Sequence, residues 1–183
     1  SKVIKFESGS TLNIRHACLS SNGKVMLVEA YDDYEPNGKD LYVSFKKGNL
    51  WSCPVKITTL NTKGDEITPF ITMDMKKIYF SSDGHPGYGF SDVFVSTRLD
   101  DTWMNWSIPE NLGRTVNDAA YNEAFVINDS GNVAYMASTY SHINNLDIYR
   151  IKINQPKNED LQVNGKIVYA ENSVRKISSL ELI

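Results

Sequence analysis

Apolar residues in this chain come in short runs, mostly alternating with polar ones and bounded by Gly, Asn, Asp or Ser. A period of two is the mark of strands with one packed face. No stretch sustains the spacing of a long amphipathic helix. The pattern also repeats. One copy reads Glu66-Ile67-Thr68-Pro69-Phe70-Ile71, then Ile78-Tyr79-Phe80-Ser81-Ser82, a Gly-rich stretch over 83–89, and Asp92-Val93-Phe94-Val95-Ser96. Another reads Asn122-Glu123-Ala124-Phe125-Val126-Ile127, then Val133-Ala134-Tyr135-Met136-Ala137-Ser138, a polar loop, and Asp147-Ile148-Tyr149. A weaker first copy has Ala17-Cys18-Leu19, Val25-Met26-Leu27 and Asp40-Leu41-Tyr42-Val43-Ser44.

Each copy predicts strand, turn, strand, loop, strand, recurring about every 50 residues. Asn22-Gly23 and Ser130-Gly131 supply the positive φ of a tight hairpin, whereas Met75-Lys76 requires another closure. A fourth, outer strand is predicted over 51–57 and 103–108, each opening with Trp. The fold class is therefore all-β. It consists of β-propeller blades of four antiparallel strands, three in this chain, over about 10–57, 58–111 and 112–154. A polar linker over 155–160 and a C-terminal β-hairpin over 161–183 follow.

Three blades do not close a propeller, since closure takes about four to eight. The exposed faces of an open arc predict either further blades in a longer polypeptide or self-association that closes a ring. The opening Ser1-Lys2-Val3, without Met, favours the longer polypeptide.

Composition narrows the function classes. Of 183 residues 41% are hydrophobic and 22% charged, enough for a real core, and net charge is −3. No basic stripe exists to meet phosphates, so nucleic acid is not expected as a partner. No apolar run is long enough for a membrane-spanning helix. Cys18 and Cys53 are too few for a disulfide framework or a zinc site and read as free thiols.

Candidate chemistry is sparse. No Gly-x-Ser-x-Gly elbow, Walker phosphate loop or His-Glu-x-x-His motif occurs, and no catalytic residue, metal or cofactor is predicted. His85 and His142 fall in the same loop of successive blades, with Asp83 and Asp92 nearby, but read as solvated loop residues. Asp40, Asp92 and Asp147 recur at one repeat position, which argues for a structural hydrogen bond at a strand start. Glu66 and Glu123 read likewise as buried, hydrogen-bonded carboxylates. Tyr88, Phe90 and Tyr140 lie in long loops, where binding concentrates. The candidate partner residues are therefore Asp83, His85, Tyr88, Phe90, Tyr140 and His142.

The middle copy, with Glu66, Pro69, Phe70, Asp74, Tyr79-Phe80-Ser81-Ser82 and Asp92-Val93-Phe94, resembles the TolB-like (WD40-like) β-propeller repeat of cell-envelope proteins. Asp147-Ile148-Tyr149 matches the repeat's end in the third copy; the first copy lacks the Glu, the Pro and the Ser-Ser. The phrase Trp106-Ser107-Ile108-Pro109-Glu110-Asn111-Leu112-Gly113 is similar to the inter-blade linker of Bacteroidetes OmpA family proteins, some of which belong to the type IX secretion apparatus. Leu161-Gln162-Val163-Asn164-Gly165-Lys166-Ile167-Val168-Tyr169-Ala170 is similar to the first strand of a carboxypeptidase-regulatory-like β-sandwich, so that 161–183 would begin such a domain.

The resemblance implies a non-enzymatic scaffold at the periplasm or outer membrane whose partners are envelope proteins. Peptidoglycan would be reached only through a domain outside this chain. The competing expectation is a glycan-binding or glycan-cleaving propeller, because Tyr with Asp and Asn in loops suits sugars.

Overall fold

A computed structural model describes residues 5–7, 12–32, 35–140 and 145–153. The expected linker over 155–160, the hairpin over 161–183 and His142 lie outside the described residues. Every regular element described is a β-strand, and the strands form three antiparallel sheets in chain order. The first holds β1 (Leu12–Leu19), β2 (Val25–Asp32) and β3 (Glu35–Lys47), with β4 (Leu50–Trp51) and β5 (Val55–Lys56) both pairing β3. The second runs β6 (Glu66–Ile71), β7 (Lys77–Ser82), β8 (Asp92–Thr97) and β9 (Glu110–Asn111). The third runs β10 (Asn122–Ile127), β11 (Val133–Ser138) and β12 (Asp147–Lys152).

The blades pack face to face because each strand is apolar on both faces where two neighbours meet. Leu27, Leu41, Val43, Ile57 and Leu60 of the first blade bury against Ile71, Ile78, Phe80, Phe94, Trp103 and Trp106 of the second. Tyr79, Val93 and Val116 meet Phe125, Ala134 and Met136 of the third. The innermost strand β6 packs against β1 and β10, giving the arc its inner wall.

The sequence predicts an open arc with exposed faces; among the described residues the first and third blades differ in this respect. The outer face of the first blade (Met26, Val28, Ala30, Tyr42, Trp51) is buried, with Phe6 and Leu12 packed on it. The outer face of the third blade exposes Val126, Tyr135 and Ile148.

The three hairpin turns are one turn. The amide nitrogens of Gly23, Met75 and Gly131 each donate to the carbonyl three residues back, at 2.8, 2.8 and 2.9 Å. All three residues take positive φ, 65°, 59° and 65°, so Met75 adopts the glycine conformation itself. Asp74 assists by accepting from Lys76 N.

The expected fourth strands lie elsewhere in part. In the second blade, residues 103–108 make no strand but a turn, with Trp103 at φ 63° and one bridge from Trp106 to Arg98. The strand is Glu110–Asn111, after Pro109. In the first blade the expected 51–57 strand is broken into two short pieces around Pro54. Pro has no N–H for the ladder. A serine substitutes for part of it: the Ser52 hydroxyl accepts from Phe45 N at 2.9 Å, and that of Ser107 accepts from Thr97 N at 2.9 Å.

Beyond each outer strand an asparagine finishes the edge. Asn61 accepts from Leu41 N and donates to Leu41 O; Asn117 does the same to Val93, at 2.8 and 2.9 Å. Asn117 is 1% exposed. Asn117→Ala leaves the Val93 N–H unpaired where water cannot reach, and the Val93 carbonyl with Leu112 N alone. It is expected to lower stability by about 2 kcal/mol; a urea midpoint indistinguishable from wild type would show the clamp to be dispensable.

Candidate functional site

The loops that the sequence singles out gather at one end of the blades. Their positions follow from a chain of backbone and carboxylate bonds. Asp83 Oδ1 accepts from Asp65 N at 2.6 Å, tying the 83–90 loop to the connection between the first two blades. Asp65 in turn accepts from Lys39 N at 2.8 Å and pairs with Lys39 Nζ at 2.7 Å. Burial acts to raise the Asp65 pKa, but these Lys39 contacts outweigh it and hold the carboxyl below its ordinary value. The same hydrogen bond raises the Lys39 pKa.

His85 is not a solvated loop residue. Its Nε2 lies 2.8 Å from the Leu60 carbonyl, which can only accept, so Nε2 carries the proton. Its ring packs 5.9 Å from Phe80, edge-on, and 5.1 Å from Phe94. His85 therefore pins the loop to the core between the first two blades. The carboxylate of Asp92 pins the other end: Oδ2 accepts from Tyr88 N at 2.6 Å and from Asn111 Nδ2 at 2.8 Å.

The loop then crosses to the next blade. Phe90 N donates to Ala120 O at 3.2 Å, and Ser91 bridges Tyr121. The rings of Phe90 and Tyr121 stack in parallel, 5.0 Å apart and 15° from coplanar, while 64% and 43% exposed. Tyr121 is held from its far side as well, exchanging bonds with Thr139 through both its N–H and its C=O. Tyr140, 70% exposed, follows immediately. Tyr88 lies under the Arg114 guanidinium at 5.1 Å. The loop face thus carries Tyr88, Phe90, Tyr121 and Tyr140, exposed but fixed by backbone bonds. Tyr121 and Arg114 escape sequence reasoning because they sit in the short inter-blade connection. A signal exists in Tyr121 directly preceding the strand-opening Asn122.

The repeat carboxylates take structural positions. Glu66 is fully buried and accepts from Thr62 N, Thr62 Oγ1 and Ser82 Oγ at 2.8, 2.7 and 2.7 Å. Burial pushes its carboxyl above the ordinary range despite these donors. Its counterpart in the third blade is Asn122, not Glu123. Glu66 pairs Ser82, and Asn122 pairs the equivalent Ser138; Asn122 accepts from Asp118 N as Glu66 does from Thr62 N. Glu123 lies one residue further, weakly bonded to Ser91 Oγ at 3.5 Å, and burial raises its pKa too. Asp40 pairs with Lys56 at 2.7 Å, the same relation that Asp92 has to Asn111. Asp147 opens β12 on an exposed edge.

Among the described residues no group of three His, Cys, Asp or Glu is arranged to hold a metal ion. No helix of the described residues is long and apolar enough to cross a membrane.

No protein-family model and no curated protein matches the chain. Solved structures do. A protein assigned to TolB from Agrobacterium tumefaciens superposes at a TM-score of 0.54 with 12% identity, over 80% of this chain and 47% of that one. TolB from Acinetobacter baumannii matches at a TM-score of 0.46 with 11% identity, over 77% of this chain and 30% of that one, and carries no argument. The chain thus spans less than half the length of either. The first likeness, with the three radial sheets, makes the fold that of a TolB-like β-propeller.

Proposed function

We propose that this chain is the non-enzymatic interaction arc of an envelope β-propeller, and that its loop face captures another envelope protein. The observation that carries the reading is the exposed Phe90–Tyr121 stack, fixed from both sides and flanked by Tyr88 and Tyr140. Exposed aromatics on a rigid scaffold are the usual anchors of a protein interface, because they bury much area with little ordering entropy. The titratable groups of this face are already engaged in structure: His85 with Leu60, Asp92 with Tyr88 and Asn111, Asp65 with Lys39. That supports a binding surface over a catalytic one. The Trp106-to-Gly113 phrase and the TolB-like fold support a periplasmic or outer-membrane setting, within an OmpA family or type IX secretion complex.

The test is capture of envelope proteins by the immobilised chain, with the retained protein identified by mass spectrometry. Changing Phe90 and Tyr121 together to Ala should weaken capture by about 30-fold, the loss of one hot spot. Stability should fall by only about 1 kcal/mol, the worth of a stacked pair. Capture unchanged in the double variant, or retention only by glycans, would reject the reading. The glycan alternative is the weaker one because Phe90 and Tyr121 each spend one face on the other.

A further inference from the structure

The connection between the second and third blades carries an arginine that the fold does not call for. Gly113 O accepts from Val116 N at 3.0 Å and from Asn117 N at 2.9 Å, which fixes the backbone of Arg114 between them. The connection between the first two blades makes the same turn, with Leu60 N and Asn61 N donating to Ile57 O at 3.1 and 3.3 Å. There the place of Arg114 is taken by Thr58. The turn therefore forms with a short side chain, and the guanidinium serves something other than closing it.

Arg114 opens onto a cavity of about 270 Å³, lined also by Tyr88, Asn117, Asp118 and Ala119. Its guanidinium lies 5.1 Å from the centre of the Tyr88 ring, and among the described residues it has neither a hydrogen bond nor an ion pair. Arg98 shows what a structural arginine does here. It lies over Trp103 at 4.7 Å, but spends Nε on Met75 O and Nη1 on Asp100 O and Asp101 Oδ1. A guanidinium stacked on a ring is held in its plane with the donor edge free, so it takes a carboxylate bidentately at little cost in entropy. Two other polar side chains of the lining are tied into the fold. Asn117 spends its amide on Val93 and Asn111. Asp118 Oδ1 accepts from Ala120 N at 2.8 Å and Asn122 Nδ2 at 3.2 Å.

We propose that this cavity receives one Asp or Glu side chain of the captured partner, its carboxylate bound by Arg114; the proposal rests on the reading of the loop face as a protein interface. The volume falls below the roughly 300–1,000 Å³ of pockets that enclose a whole small ligand, and suits a single side chain. A phosphate dianion fits less well, because Asp118 lines the same space with its own charge. A chain end fits less well too. The aromatic surface continues past the cavity along both segments, from Tyr88 to Phe90 and from Ala119 to Tyr121, so a chain covering it runs on.

Nitrogen-15 spectra of the arginine Nε–H groups in the full chain test the site without a partner. The probe is N-acetyl-aspartic acid methylamide, whose only carboxylate is the side chain. The Arg114 signal should shift saturably, with an affinity about tenfold or more above any response at Arg15, another exposed arginine over a tyrosine. The neutral asparagine analogue should shift neither. Arg114→Lys keeps the charge without the fork, and should bind the probe about tenfold more weakly, read from the Ala119 amide. Equal responses at Arg15 and Arg114, or none at Arg114, would overturn the proposal. So would tighter binding of inorganic phosphate, or of N-acetyl-alanine, which offers a terminal carboxylate instead. Capture that depends on Phe90 and Tyr121, with no response at Arg114, would sink this site and leave the proposed function standing. A response at Arg114 without capture would do the reverse.

Discussion

Glu66→Ala is expected to lower stability by on the order of 3 kcal/mol or more, enough to leave much of a marginally stable chain unfolded. The carboxylate is fully buried and satisfies three donors from Thr62 and Ser82. Alanine removes all three acceptor contacts and leaves the donors facing a hole. Glu66→Gln should be milder by at least half, because the third blade already uses an amide there: Asn122 accepts from Asp118 N and donates to Ser138 Oγ. The glutamine also tests the protonation state. Burial raises the Glu66 carboxyl above its ordinary value, so the folded chain holds that proton more tightly than the unfolded chain. That contribution is fully present below the unfolded value, about 4.3, and is lost as pH rises through the folded one. Wild-type stability should therefore carry a falling component above about pH 4.3, which Glu66→Gln removes. Urea midpoints across this range measure it. A Glu66→Ala midpoint within experimental error of wild type would mean that the blade connection does not depend on this carboxylate.

Phe80→Ala should be as damaging, about 3–5 kcal/mol, the range for emptying a buried aromatic site. Phe80 is 1% exposed and stacks on Phe94 with centroids 6.0 Å apart. A loss of this size should lower the melting temperature by about 10 °C for a chain of this length. Phe80→Met should cost less than about 1.5 kcal/mol, since Met136 fills the equivalent place in the third blade. The two variants also separate packing from function. Phe80 and Phe94 form the wall against which His85 holds the 83–90 loop. Phe80→Ala should therefore weaken partner capture even below its melting temperature, while Phe80→Met should preserve it. Calorimetry and capture at one low temperature make the comparison. Full capture by a folded Phe80→Ala chain would show that the loop does not depend on this wall.

The blades were legible because strand alternation, Gly turns and the recurring aspartate are local signals. Even Met75 keeps its turn in register, since Asp74 and Thr72 close around it. The outer strands were less legible: two residues of ladder suffice, and a serine hydroxyl or an asparagine amide stands in for the rest. No alternation records that. The pairing of Glu66 with Asn122 was hidden because an amide replaces the carboxylate in the third blade and a glutamate, Glu123, stands beside it; both inner strands carry a bulge at the same offset, at Thr68 and Ala124, each at positive φ. Those bulges free amides that latch the blades, Thr68 N to Glu29 Oε2 and Ala124 N to Thr68 Oγ1, each at 3.0 Å. At the candidate site, Tyr88 and Phe90 could be picked out as loop aromatics. Tyr121 became visible only in space, and His85 changed from a loop residue to a pin once its carbonyl partner was placed.

The most direct test of the loop face is a photoreactive phenylalanine analogue at position 90, activated in cells that make the protein. The account predicts one dominant covalent adduct with an envelope protein. The same group at Ile108, 86% exposed but away from the loop face, should give none. Equal adducts from both positions, or none from position 90, would contradict it.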